Sequence, residues 1–131
     1  MNSVSHPNHF RRGFTLIELL VVLAIVSMLL TLAVPRFFSS VDTAKETILV
    51  ENLRLTRETL DKFYADTGRY PDSLDELVDA QYLKTLPNDP VVDSRTAWKI
   101  VPPKTGLNGK VFDLHSSAPG KNRLGQPFES L

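Results

Sequence analysis

The chain has 131 residues, 42% hydrophobic and 23% charged, which fits one ordinary domain plus an accessory segment and excludes two large domains. Fifteen basic residues balance fifteen acidic ones, so no net field draws in nucleic acid or an acidic surface. The absence of cysteine removes disulfide scaffolds, thiolate metal sites and cysteine nucleophiles together.

A short polar leader, Met1 to Gly13, carries Arg11 and Arg12 directly before an apolar run from Phe14 to Val34 in which Glu18 is the only charge. As a helix this run measures about 31 Å, close to the bilayer hydrocarbon thickness of about 30 Å. It predicts a membrane anchor. A cleaved secretory signal is the competing reading, since Thr31-Leu32-Ala33 is a passable cleavage site; the run exceeds a usual signal core, however, and Glu18 lies inside it. A buried core helix is the third reading.

Glu18 is the informative residue. If the chain were cut after Gly13, the new α-amine of Phe14 would lie one helical turn from Glu18 on the same face. An ammonium and a carboxylate at similar depth in lipid each need a partner, and the amine of one subunit meeting the carboxylate of the next would fix axial register. The simpler alternative is a charge that snorkels to the interface.

The residues Arg11-Arg12-Gly13-Phe14-Thr15-Leu16-Ile17-Glu18-Leu19-Leu20, with Pro35 near the end of the apolar run, resemble the class III signal of the type IV pilin-like superfamily. That resemblance implies cleavage after Gly13 by prepilin peptidase, N-methylation of Phe14, and extraction from the inner membrane into a helical filament. Glu18 and Pro35 are then assembly residues.

Beyond the anchor, Val41, Ala44, Ile48, Leu49, Leu53, Thr56, Leu60 and Phe63 recur at helical spacing and predict one amphipathic helix. Its outer face offers Glu51 with Arg54, Arg54 with Glu58, Arg57 with Asp61 and Glu58 with Lys62. The helix should end near Asp66-Thr67, because Gly68 suits a left-handed cap and Pro71 cannot continue it. Pro35, inside this long helix, predicts a kink or local melting around Thr31 to Arg36.

From Phe63-Tyr64-Ala65-Asp66-Thr67-Gly68-Arg69-Tyr70-Pro71 to Leu86-Pro87-Asn88-Asp89-Pro90 the chain resembles the major, G-type pseudopilin of type II secretion. Ser73 and Glu76 form a capping box for a short helix over Leu74 to Ala80. Ala97 to Val101 and Val111 to His115 are β-prone, with Asn108-Gly109 as the turn pair between them. They predict a small antiparallel sheet placing Trp98, Ile100, Phe112 and Leu114 against the apolar stripe. Ser116 to Leu131 reads as an ordered loop or a loose end. In major pseudopilins the matching loop commonly holds calcium; here, from Lys104 onward, the only carboxylates are Asp113 and Glu129, and Lys121 and Arg123 stand where acids would help, so calcium is disfavoured.

No catalytic constellation is legible. His6 and His9 fall in the leader, His115 is a lone strand histidine, and Asp72, Asp75, Glu76 and Asp79 form the polar side of the short helix. No phosphate loop or nucleophile elbow is present.

The expected class is α+β with a type IV pilin-like fold, in which a long N-terminal helix with a membrane-spanning first half packs on a small C-terminal antiparallel sheet. The segments are a leader over 1–13, a transmembrane and filament-core helix over 14–35, an amphipathic half over 36–67, and a loop and sheet region over 68–131. The resemblance implies a pseudopilus subunit; the alternative is a type IV pilin or minor pilin in adhesion, motility or DNA uptake. Implied partners are further copies of the chain, minor pseudopilins, an inner-membrane assembly platform, prepilin peptidase and lipid. The implied location is the inner membrane, leader in the cytoplasm and C-terminal region in the periplasm, then a periplasmic filament.

Overall fold

The computed structural model describes residues 2–5, 13 and 15–131. Helix α1 covers Leu16–Thr67, helix α2 Leu74–Asp79, strand β1 Lys99–Val101 and strand β2 Asp113–His115; a 3-10 turn follows at Phe128–Ser130. The two strands pair antiparallel, with Ile100 opposite Leu114, so the class is α+β. The chain divides into two compact units, residues 1–38 and 39–131.

In the first unit the described residues from Leu16 onward are helical and their side chains lie open to the surroundings on every side. Its hydroxyls are satisfied within the helix: Ser27 donates to the Leu23 carbonyl at 2.7 Å and Thr31 to that of Ser27 at 2.9 Å. Such internal satisfaction suits an environment without water. Helical structure runs through Thr31–Arg36 without a break, so the expected local melting does not occur. Pro35 removes one donor from the ladder, and the helix continues on both sides of it.

The second unit has its own core. Leu49, Leu53, Thr56, Leu60 and Phe63 are the buried positions of α1. Leu74 and Leu77 of α2, Trp98, Val111, Leu114, Ala118 and Phe128 complete the cluster. The apolar stripe of α1 begins later than its sequence suggests, since Ala44 and Ile48 are exposed and Val41 is half-buried. In this stretch Glu46 is met by Arg123, from the turn after β2. The expected end of α1 is observed: Gly68, at φ +75°, donates its N–H to the Tyr64 carbonyl at 2.8 Å.

The strands are shorter than their β-prone segments, and only half of the expected sheet face is buried. Trp98 and Leu114 enter the core, with Trp98 Nε1 donating to the Pro87 carbonyl at 2.9 Å. Ile100 and Phe112 are largely exposed; Phe112 instead meets the edge of the Tyr70 ring at 5.2 Å. Asn108-Gly109 is not a two-residue hairpin turn either. It sits in the long connection after β1, where the Asn108 carbonyl accepts from Tyr70 N at 3.0 Å and the Pro71 carbonyl accepts from both Lys110 N and Val111 N. The residues after α1 thus form a third rail beside the hairpin, held by backbone bonds that no side-chain pattern announces.

Candidate functional site

The processing and assembly residues expected from the sequence fall in the first unit. Phe14, Arg11 and Arg12 lie outside the described residues. A Cβ added at Gly13 meets no heavy atom within 4 Å.

Thr15 caps the start of α1. Its Oγ1 accepts from Glu18 N at 3.2 Å, while its carbonyl accepts from Leu19 N at 3.1 Å. Thr15 and Glu18 have the spacing of a capping box, and the Glu18 carboxylate, in the first turn, complements the positive end of the helix dipole. This second role of Glu18 was not among the sequence expectations, although the Thr-x-x-Glu pattern announces it. Glu18 is exposed and available to an external partner. Pro35 lies about 25 Å farther along the helix, at about 1.5 Å per residue, so it shares no site with Glu18.

Between them the helix presents an unbroken apolar surface of Leu, Val and Ile side chains. By length and composition α1 is able to cross a membrane, and no residue of its most apolar window is buried within the chain. An apolar surface of this extent calls for an apolar environment.

In the second unit the polar groups are paired with one another. Arg54 bridges Glu51 and Glu58, at 2.6 and 2.5 Å, and its hydrogen bond holds the Glu51 carboxyl below its usual range. Arg57, expected on the same outer face beside Asp61, turns instead toward the sheet. Its Nε donates to Asp113 Oδ1 at 2.8 Å, and one terminal nitrogen donates to the carbonyl oxygens of Leu114 and Leu131, each at 2.9 Å. Helical spacing offered Arg57 an exposed partner; the tertiary fold offers three acceptors that already need donors.

Arg69 pairs with Glu76 of α2, whose carboxylate also accepts from Asp72 N at 2.6 Å. The Arg69 hydrogen bond, then the Asp72 N–H, hold the Glu76 carboxyl below its usual range. Ser73 Oγ accepts from Glu76 N at 3.3 Å, so the expected cap forms, with Glu76 reaching back one residue farther than the simple box. Asp89 and Ser116 are a buried pair that the sequence did not flag. Ser116 Oγ donates to Asp89 Oδ2 at 2.5 Å, and Val91 N donates to Asp89 Oδ1 at 3.0 Å.

The loop implied by resemblance to hold calcium fits that ion poorly. Among the described residues no group of three or more His, Asp or Glu side chains converges as a metal cluster. Glu129 is paired with Lys99 at 2.8 Å, Asp113 with Arg57, and Glu46 with Arg123 at 3.1 Å. Calcium requires six to eight oxygen ligands, and Glu46, Asp113 and Glu129 already hold cations, which leaves Asp42 in the cleft beside Lys121 and Arg123.

Comparison with known proteins agrees with this arrangement. The prokaryotic N-terminal methylation motif matches residues 8–34. The type IV major pilin protein PilA of Myxococcus xanthus is 35% identical over 74 residues, covering 56% of this chain and 34% of that protein. The type II secretion system core protein G of Aeromonas hydrophila is 33% identical over 94 residues, covering 60% of this chain and 66% of that protein. The chain thus spans about a third to two thirds of the length of these two relatives. The core protein G of Dickeya chrysanthemi is 30% identical over 125 residues, with 83% of this chain and 78% of that protein covered. No solved structure gives a significant match. With a long apolar N-terminal helix, a small antiparallel sheet and similarity extending along most of a core protein G, this chain belongs to the G-type pseudopilins of the type IV pilin-like superfamily.

Proposed function

We propose that this chain is the structural subunit of a pseudopilus serving type II protein secretion. The observation that carries this reading is the exposed apolar surface of α1 beginning at a capped Glu18, within a segment that matches the N-terminal methylation motif. In the membrane, lipid covers that surface; in the filament, the same face of neighbouring helices replaces lipid. Prepilin peptidase cuts after Gly13, Phe14 is methylated, and the Phe14 ammonium of one subunit pairs with Glu18 of the next. Pro35, with one backbone bond fewer, lets the helix adapt to its neighbours.

The leader stands in the cytoplasm and residues 36–131 in the periplasm before extraction. Minor pseudopilins and an inner-membrane platform assist assembly. The chain is a substrate of processing enzymes and carries out no catalysis itself. The second reading, a type IV pilin, draws on the similarity to the Myxococcus pilin, which extends over about a third of that protein.

Mass spectrometry of the mature N-terminus tests the proposal. The expected product begins at methylated Phe14, and Gly13→Val leaves the full-length chain in the inner membrane. An intact leader in the wild type, or a start near Val34, would overturn it.

A further inference from the structure

We infer that the segment 116–131 is fastened to α1 by protein groups alone, with the Arg123 guanidinium on the Glu46 carboxylate supplying the positive charge that the family resemblance assigns to a calcium ion. This inference concerns the folding of the second unit and does not depend on secretion as the function.

The contact is two-pronged. Arg123 donates its backbone N–H to Glu46 Oε1 at 3.0 Å and its Nε to Oε2 at 3.1 Å, so both oxygens of one carboxylate are used. The Glu46 side chain is 17% exposed, and Arg123, 58% exposed, reaches it from the solvent side. The partners are 77 positions apart in sequence, and the bond ties the turn between Asn122 and Gln126 directly to α1.

The turn that presents Arg123 is held by hydrogen bonds of its own. Asn122 Oδ1 accepts from Leu124 N at 3.0 Å and Gln126 N at 2.9 Å, and Asn122 N donates to the Gln126 carbonyl at 2.8 Å. Lys121 and Pro127 form a bridge across its base. These bonds hold the chain in the tight path that coordination to a cation would otherwise impose.

Both ends of the segment are anchored in the same manner. Ser116 donates to Asp89 and accepts from Ala118 N at 3.1 Å. At the other end the Leu131 carbonyl oxygen accepts from Arg57 and lies 2.6 Å from His115 Nδ1. Of the carboxylates around the segment, Glu46, Asp89, Asp113 and Glu129 each have a protein donor, which leaves Asp42, across the cleft from Lys121 and Arg123, as a single carboxylate for a cation. A divalent cation would have to break these bonds and sit beside Lys121 and Arg123 against their repulsion.

The experiment is thermal unfolding of the full chain in detergent, followed through Trp98, in calcium chloride and in EDTA. The expected midpoint is the same in both. Arg123→Ala lowers it by about 4 °C in either condition, the size expected for losing a modest contact in a domain of this length. Arg123→Lys recovers part of the loss; Glu46→Ala, which also removes the bond from Arg123 N, lowers the midpoint further than Arg123→Ala, and the double variant matches Glu46→Ala alone, because the groups act as one contact. A wild-type midpoint that falls in EDTA and returns with calcium would overturn the inference. So would an Arg123→Ala midpoint equal to that of the wild type, or additive losses in the double variant.

Discussion

Gly109 lies against the backbone of Tyr70, so closely that a Cβ at position 109 would stand 2.1 Å from the Tyr70 carbonyl oxygen. Its φ of +102° is also one that side chains avoid. The neighbouring bond from Tyr70 N to the Asn108 carbonyl pins the two stretches together, so neither can retreat. Gly109→Ala should destabilise the second unit by about 2–6 kcal/mol, combining about 1–3 for the strained backbone with about 1–3 for overpacking. Denaturant unfolding measures this, and a wild-type midpoint would disprove the close approach.

Arg57 joins α1 to β2 and to the end of the chain. Arg57→Ala removes one donor each from Asp113 and the Leu114 and Leu131 carbonyls, which should cost about 1–3 kcal/mol. Arg54→Ala, on the solvent face, should cost far less. Equal losses for the two variants in chemical denaturation would contradict the assignment of Arg57 to the tertiary fold.

The Arg69–Glu76 pair predicts a pH dependence of known sign. Because the folded-state carboxyl of Glu76 is held below its ordinary value of 4.5, its contribution is present above that value and lost as pH falls through the lower folded-state pKa. Glu76→Gln should be less stable than wild type at neutral pH, and the gap should close on acidification. Parallel denaturation series from neutral to acid pH measure it; a gap that persists at the acid end would refute the linkage.

Glu18 separates three roles by substitution. If it only tolerates the membrane, Glu18→Leu should insert more readily and still assemble, since the cost of a carboxylate in lipid disappears. If it pairs with the Phe14 amine of a neighbour, Glu18→Leu should be cleaved and stable yet give few filaments, and Glu18→Asp should be intermediate. Glu18→Gln retains a side chain able to complete the cap with Thr15 but lacks the charge. The expected result is filament loss in both Glu18→Leu and Glu18→Gln. Abundant filaments from Glu18→Leu at matched expression would eliminate pairing.

Local signals in the sequence were sufficient for the long helix, its end at Thr67 before Gly68, the cap at Ser73, and the apolar surface from Leu16 onward. Each depends on residues within a turn or two of one another, where backbone geometry and hydrophobic spacing act directly. The tertiary structure alone decided where Arg57 points, which half of the sheet face is buried, and that Asn108-Gly109 braces Tyr70 in place of turning a hairpin. It also decided the Asp89–Ser116 and Glu46–Arg123 contacts, whose partners are 27 and 77 residues apart. Contacts at that range follow from how the chain closes on itself, because a polar side chain with a nearby exposed partner will still turn inward where buried carbonyls and carboxylates lack donors.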